Sequence, residues 1–289
     1  FDVDNDWEFL SSVPFADHNA MLDPACPDIT GRVIEGLIAS GVKPSHEAIR
    51  KGVQFLIKTQ EADGSWYGRW GVDYIYGTFL ALRGLEAAGE SDREAHVLRA
   101  GEWLRSIQNA DGGWGESCAS YDNHTYTPAE STPSQTAWAV LGLIAGGDTT
   151  SESVRRGVEW MMHNQRPDGG WNLASLGKWK RKDGTMNEAD SAPSDGYATG
   201  LAVLVLSRCQ GASDATRKGV DWLRKDQRDS GRWFVRSLNN DKAHFITHAG
   251  TAYAVLGLHA AGALVVVELG LAARRVVHLG LSGVGDDPL

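Results

Sequence analysis

The segment Arg99-Ala-Gly-Glu-Trp-Leu-Arg-Ser-Ile-Gln-Asn-Ala-Asp-Gly-Gly-Trp114 holds a motif that occurs four times in the chain. Each copy has a basic residue, a small residue, an aromatic residue followed by Leu or Met, then Gln, a short polar turn, Gly and Trp. The other copies lie at 51–66, 156–171 and 218–233. Self-similarity at a period of roughly 50 to 60 residues predicts a repeat architecture.

Each copy predicts a helix that ends in a turn. The apolar positions before the Gln have helical spacing, and the turn after it contains a Gly able to adopt positive φ. We expect the Gln in the last helical turn, where its amide can bond carbonyls there or N–H groups of the next helix. The Trp beyond the turn is expected to fold back as an apolar plate. The motif therefore predicts a clamp between neighbouring helices, with a structural role for Trp66, Trp114, Trp171 and Trp233.

A second kind of helix separates the clamps and consists of Ala, Gly, Leu and Val with few charges. Five are expected, at 31–41, 77–89, 134–146, 197–210 and 248–262. Helices that are apolar nearly all round are buried, whereas the clamp helices carry charge on one face. Alternating inner and outer helices in tandem hairpins predict an all-α fold, an α/α toroid. Residues 1–262 would form one domain, an incomplete ring of six helix pairs, and residues 263–289 an apolar tail of uncertain structure.

Composition narrows the class of protein. A chain of 289 residues with 42% hydrophobic content can bury a large core. A net charge of −9, without a basic stripe, argues against nucleic-acid binding. Cys26, Cys118 and Cys209 are far apart, which indicates a reducing compartment rather than a disulfide framework. We expect a cytoplasmic protein or one on the cytoplasmic membrane face, with shallow membrane contact possible at the apolar tail.

Beyond the repeats, the sequence resembles the squalene–hopene cyclases and oxidosqualene cyclases, whose repeats are called QW motifs. The run 1–171 looks like the C-terminal portion of a bacterial squalene–hopene cyclase. Local matches lie at 1–5, 13–15, 23–24, 28–30, 64–72, 74–78 and 131–138. The resemblance implies cyclisation of squalene or a related linear isoprenoid to a polycyclic triterpene. In the mechanism that the resemblance implies, a protonated Asp donates its proton to a terminal alkene, and aromatic walls stabilise the resulting carbocations by roughly 0.5 to 2 kcal/mol per ring.

The same resemblance implies roles for individual residues. Trp70 and Tyr76 match cavity-wall aromatics that contact substrate, and Phe1 falls where the family has a cavity Tyr. Asp28 and Arg32 match the carboxylate and, usually, the His that tune the catalytic acid. An Arg there cannot share a titrating proton at neutral pH as a His can. Structural alternatives are core packing for Trp70 and Tyr76, and an N-terminal helix cap for Asp28.

Two departures limit the resemblance. The family's catalytic acid lies in an Asp-x-Asp-Asp motif upstream of the matched stretch, and that motif does not occur in this chain. Beyond residue 172 the chain also diverges from the segment that closes the bacterial cyclases. The chain alone is therefore expected to be inactive and to depend on a missing N-terminal cyclase domain. The alternative is a non-catalytic toroid that binds an isoprenoid or a protein partner.

Metal chemistry has weak support. Protein prenyltransferases share the toroid and hold zinc with Asp, Cys and His, for which Glu116, Cys118 and His163 are the nearest candidates. His244 and His248 stand four residues apart, but the Glu of a His-Glu-x-x-His motif is lacking. A polar cluster at 239–242 could serve a substrate head group or satisfy loop backbone. We predict no metal and no cofactor.

Overall fold

The computed structural model describes residues 25–172, 193–235 and 246–263. Those residues contain ten helices and no strand. In chain order the helices are α1 (Pro27–Ala39), α2 (Glu47–Lys58), α3 (Asp73–Ala88), α4 (Ala95–Ser106), α5 (Ala119–Asn123), α6 (Pro133–Ala145), α7 (Glu152–His163), α8 (Gly196–Gln210), α9 (Asp214–Asp226) and α10 (Thr247–Ala260). Outside the described residues lie Phe1, His244, the polar residues 239–242 and all of the predicted tail 263–289 except its first residue.

Inner and outer helices alternate along the chain, as predicted. The inner helices are α1, α3, α6, α8 and α10, and each packs against the next inner helix. Helices α3, α6 and α8 are buried on nearly every side, whereas α2, α4, α7 and α9 bury one face only. The short helix α5 was not predicted and lies in the loop between α4 and α6. None of the helices in the described ranges is long and apolar enough to cross a membrane.

The clamps have one repeated geometry. In each, the indole Nε1 of the Trp donates to a carbonyl near the end of its own outer helix, and the Trp is at most 1% exposed. The accepting carbonyls belong to Leu56, Leu104, Met161 and Leu223, at 2.7, 2.8, 3.0 and 2.8 Å. A buried indole that keeps its hydrogen bond removes apolar surface from water without leaving a buried N–H group unpaired.

A Thr on the following inner helix completes each clamp. The backbone N–H of Trp66 donates to Thr78 Oγ1 at 2.9 Å, and that of Trp114 to Thr136 Oγ1 at 3.0 Å. Trp171 and Trp233 repeat the contact with Thr199 and Thr251. These Thr partners were not predicted, because the spacing from Trp to Thr differs between repeats.

The predicted position of the Gln is wrong, although its clamping role is confirmed. Helix α4 ends at Ser106, and Gln108 follows beyond the helix. There its amide Nε2 donates to Gly112 O at 2.8 Å and to Ser153 O of the next outer helix at 2.9 Å. Outside the helix, one amide can reach both its own turn and the next repeat. Gln60 and Gln165 do the same, donating to His96 O and Ala215 O.

Glycine contacts set the distance between inner helices. A Cβ atom on Gly31 of α1 would lie 2.1 Å from the backbone oxygen of Leu80 on α3, and one on Gly84 would lie 2.6 Å from Gly31 Cα. Gly200 of α8 and Gly257 of α10 form the equivalent close pair. Only residues without a side chain permit this approach of two backbones. The inner helices therefore meet nearly in backbone contact at the two ends of the described series.

Candidate active-site wall

Four consecutive inner helices each contribute one aromatic residue to an inner aromatic cluster, defined as Tyr76, Trp138, Tyr197 and Tyr253. The ring centroids of Tyr76 and Trp138 are 4.9 Å apart, those of Trp138 and Tyr197 are 6.5 Å apart, and those of Tyr197 and Tyr253 are 5.0 Å apart. All three contacts are edge-to-face, an arrangement that the ring quadrupoles favour. The cluster is a continuous chain of aromatic contacts that spans α3, α6, α8 and α10.

Arg32 of α1 places one positive charge at this cluster. Its guanidinium donates to the Tyr76 hydroxyl, and Arg32 Cζ lies 5.5 Å from the centroid of the Tyr76 ring. Burial lowers the pKa of Arg32, but Tyr76, Tyr253, Tyr197 and finally Asp28 raise it, so the pKa stays above its ordinary value. Arg32 is therefore a fixed cation whose nearest partner is a phenol.

Asp28 is fully buried and is not a helix cap. It is the second residue of α1, the N-cap position is Cys26, and no side chain caps that helix. Instead, Asp28 Oδ2 accepts a hydrogen bond from the backbone N–H of Trp70 at 3.2 Å. Its other oxygen, Oδ1, accepts no hydrogen bond within the described residues. The predicted cap is wrong, because the carboxylate is turned toward the segment that precedes α3.

That segment also carries Trp70, which is half-buried and packs against the core. The Tyr121 hydroxyl donates to Arg69 O at 3.2 Å and to Gly71 O at 2.9 Å, and thereby fixes the backbone on both sides of Trp70. The structure thus brings Asp28 to Trp70 and Arg32 to Tyr76. Phe1, the remaining predicted wall residue, lies outside the described residues.

Glu116 was considered as a zinc ligand and instead caps helix α3. Its two carboxylate oxygens accept hydrogen bonds from Tyr74 N at 3.0 Å and Ile75 N at 2.9 Å. Gln135 holds the Glu116 backbone in place through both its amide oxygen and its amide nitrogen. Burial raises the pKa of Glu116 to about 8, although the two backbone N–H groups act to lower it. Within the described ranges, no three residues form a group that could hold a metal ion.

Asp73, the first residue of α3, is the third buried acid of this region and was not predicted from the sequence. It is 0% exposed, and neither carboxylate oxygen has a hydrogen-bond partner among the described residues. Burial, and then the nearby Asp28, raise the pKa of Asp73 to about 7. Its φ of 24° lies in a region that non-glycine residues rarely adopt. The only sequence signal was an Asp at the start of an otherwise apolar inner helix.

Comparisons with known proteins identify relatives of this chain. The family model of the squalene-hopene cyclase C-terminal domain matches residues 1–178. The chain is 46% identical over 173 residues to a squalene–hopene cyclase of Zymomonas mobilis, which covers 59% of this chain and 26% of that protein. It is 45% identical over 173 residues to a squalene–hopene cyclase of Alicyclobacillus acidocaldarius, covering 60% of this chain and 27% of that protein. The chain thus spans about a quarter of the length of these relatives.

A solved structure extends the likeness of the fold beyond the matched residues. The ent-copalyl diphosphate synthase from Streptomyces platensis superposes with a TM-score of 0.54 at 19% sequence identity, covering 83% of this chain and 42% of that one. This likeness concerns the fold alone and confirms the predicted α/α toroid. Because the family model covers more than half of the chain, the chain belongs to the squalene–hopene cyclase C-terminal domain family.

Proposed function

We propose that this domain forms the aromatic wall of an isoprenoid-binding site, and that it acts in the cyclisation of squalene or a related linear isoprenoid to a polycyclic triterpene. The inner aromatic cluster is the observation that carries the proposal. Aromatic faces attract a carbocation without offering a nucleophile that would quench it. An apolar chain would also gain from contact with the largely apolar surface of the inner helices.

The proposal gives each predicted site residue a role. Trp70, Tyr76 and Phe1 would contact the substrate, and Asp28 and Arg32 would tune the catalytic acid. The close positions of Asp28 and Trp70, and of Arg32 and Tyr76, support these roles. All five residues lie in the part of the chain that the family model matches.

The proton for the alkene would come from a carboxyl group outside the described residues. The chain contains no Asp-x-Asp-Asp motif. Burial makes Asp73 and Glu116 weaker acids, with pKa values of about 7 and 8. A carboxyl group with such a pKa cannot protonate an alkene at a useful rate. We therefore expect no cyclisation by this chain alone and assign the donor to a segment equivalent to the remaining three quarters of the relatives.

We also propose that the chain forms a single domain and that this domain contacts a membrane. We assign residues 1–262 to one toroid, because each inner helix from α1 to α10 packs on its neighbour. A substrate as apolar as squalene partitions into lipid, so peripheral contact with a membrane would shorten its path to the site.

A cationic analogue provides the test, because an isoprenoid chain that ends in a tertiary ammonium mimics the carbocation. We expect it to raise the melting temperature of the chain more than squalene does. Trp138→Leu should abolish the difference between the two compounds, since it removes the central ring of the inner aromatic cluster.

The matched control is Trp103→Leu. Trp103 is 6% exposed and makes an edge-to-face contact with Tyr126, but it lies on the outer helix α4. This variant should lose stability yet keep the full difference between the amine and squalene. If the difference between the melting-temperature increases caused by the amine and by squalene changed equally in Trp138→Leu and Trp103→Leu, the proposed site would be contradicted.

A further inference from the structure

Arg32 is a cation of the inner helix α1 that forms no ion pair among the residues that the structure describes. The two acidic side chains of α1 lie within about one helical turn of it, and both are engaged elsewhere. Glu35 forms an ion pair with Arg83 of α3, and Asp28 accepts a hydrogen bond from the backbone N–H of Trp70. An ion pair within α1 therefore does not hold the Arg32 side chain in place.

Arg32 and Tyr76 together form a pair of hydrogen-bond donors. A guanidinium has several N–H donors, and the Tyr76 hydroxyl is the one acceptor that Arg32 binds in the described ranges. Because that hydroxyl accepts from Arg32, its own O–H is left to donate. Burial raises the pKa of Tyr76, so the hydroxyl keeps its proton at neutral pH. Arg32 also retains an exposed surface, through which a ligand can reach it.

This donor pair borders the inner aromatic cluster. Arg32 Cζ is 5.5 Å from the centroid of the Tyr76 ring, and Tyr76 contacts Trp138 in the same cluster. Tyr253 and Tyr197 also raise the pKa of Arg32, so three of the four rings lie near the cation. A head group bound by Arg32 would therefore place the apolar chain that follows it against the cluster.

The chemistry of the donor pair selects an anion. A guanidinium binds carboxylate and phosphate oxygens with its planar fork, and such charge-assisted hydrogen bonds are stronger than neutral ones. A hydrocarbon has no oxygen to offer these donors. The chain has a net charge of −9, so its overall field repels anions, and a preference for them would have to come from a local site.

We propose that Arg32 and the Tyr76 hydroxyl bind an anionic oxygen group, a carboxylate or a phosphate, at one end of the isoprenoid ligand. The ligand of this site is then an acidic isoprenoid rather than a pure hydrocarbon. This inference rests on the proposed function, because it assigns the head group of the ligand whose apolar chain the inner aromatic cluster contacts. The His that the resemblance implies at position 32 is largely neutral at neutral pH, whereas an Arg keeps its charge.

The test compares three ligands with the same apolar chain, which are farnesol, farnesoic acid and farnesyl diphosphate. Isothermal titration calorimetry at neutral pH gives their dissociation constants for the whole chain. We expect at least one of the two anions to bind about tenfold or more tightly than farnesol. The anion with the larger advantage over farnesol identifies the head group.

Variants assign this advantage to the donor pair. Arg32→Gln should bring the affinities of the anion and of farnesol within about twofold of each other, whereas Arg32→Lys, which keeps the charge, should retain most of the difference. Tyr76→Phe removes only the hydroxyl and should reduce the advantage several-fold. The matched control is Arg155→Gln, which removes an exposed cation of the outer helix α7 and should leave the advantage unchanged.

Farnesol separates this inference from the proposed function, because it has the apolar chain without the charge. Equal affinities for all three ligands, or an advantage of the anions that Arg32→Gln does not change, would overturn the anion site and leave isoprenoid binding in place. Binding of none of the three ligands would overturn the proposed function and the anion site together.

Discussion

At the scale of single residues, the start of α3 holds two buried acids whose pKa values are raised toward neutral pH. Asp73 and Glu116 flank the start of α3, and burial raises the pKa of each well above that of an exposed carboxyl. Such a group has a higher pKa in the folded chain than in the unfolded chain. At pH values between these two pKa values, the folded chain therefore binds more protons. Folding stability must then decrease as the pH rises through that interval.

We expect the free energy of unfolding to fall from about pH 4 to about pH 7, since an unfolded Asp has a pKa near 3.9 and Asp73 one of about 7. Each such group contributes at most about 1.4 kcal/mol per pH unit. Asp73→Asn should make this decrease of the free energy of unfolding with pH less steep. The decrease that remains comes from Glu116 and extends to about pH 8. Urea unfolding at a series of pH values measures this. An unchanged slope in Asp73→Asn would show that Asp73 is ionised in the folded chain.

The residues that lie in a recognisable motif could be predicted from the sequence. The residues that only the fold brings together could not. Trp70, Tyr76, Asp28 and Arg32 were identified through the resemblance, and the structure pairs them. Tyr197 and Tyr253 were not identified, because a helix that is apolar all round has no periodic signal for the side facing the centre. Asp73 was missed because its importance depends on Glu116, more than forty residues away.

At the scale of elements, the close approach of α1 and α3 depends on Gly31. We predict that Gly31→Ala lowers the free energy of unfolding by about 1–3 kcal/mol, because its Cβ would lie 2.1 Å from Leu80 O and push the two backbones apart. Gly36→Ala on the same helix is the matched control, since its Cβ meets nothing within 4 Å. It should stabilise the chain by about 0.5–1 kcal/mol through helix propensity. Urea unfolding of both variants tests this prediction. If the free energy of unfolding changed in the same direction in both, the prediction would be contradicted.

The clamps give a second prediction at this scale. Gln108 bonds its own turn and the next outer helix, whereas Gln227 bonds only Gly231 O, in its own turn, among the residues that the structure describes. Gln108→Ala should cost about 1–3 kcal/mol, because it leaves carbonyls of two elements without a donor. Gln227→Ala, at an exposed site, should cost under about 0.5 kcal/mol. Equal losses in denaturant unfolding would show that the bridge to the next repeat contributes nothing.

Helix order was predictable because the repeats encode it locally. Alternation of charged and apolar helices, turn glycines and the Trp plates all follow from periods of a few residues. The position of Gln beyond the helix and the Thr partners of the Trp backbone depend on contacts between repeats, so local spacing could not reveal them.

At the scale of the whole molecule, a series of inner helices presents aromatic rings to one another, while the clamps tie the outer helices together. Trp114 and Gln108 hold the repeats together, and we propose that Tyr76 and Trp138 serve the ligand. The chain spans about a quarter of the length of its curated relatives. We propose that this chain binds the isoprenoid but does not protonate it.

Incubation of the purified chain with squalene in detergent, followed by gas chromatography and mass spectrometry of both the retained lipid and the products, tests this claim most directly. We predict that squalene is retained and recovered unchanged, and that retention falls in Trp138→Leu but not in Trp103→Leu. Polycyclic product that disappears in Asp28→Asn would show that this chain contains its own acid and would contradict the account.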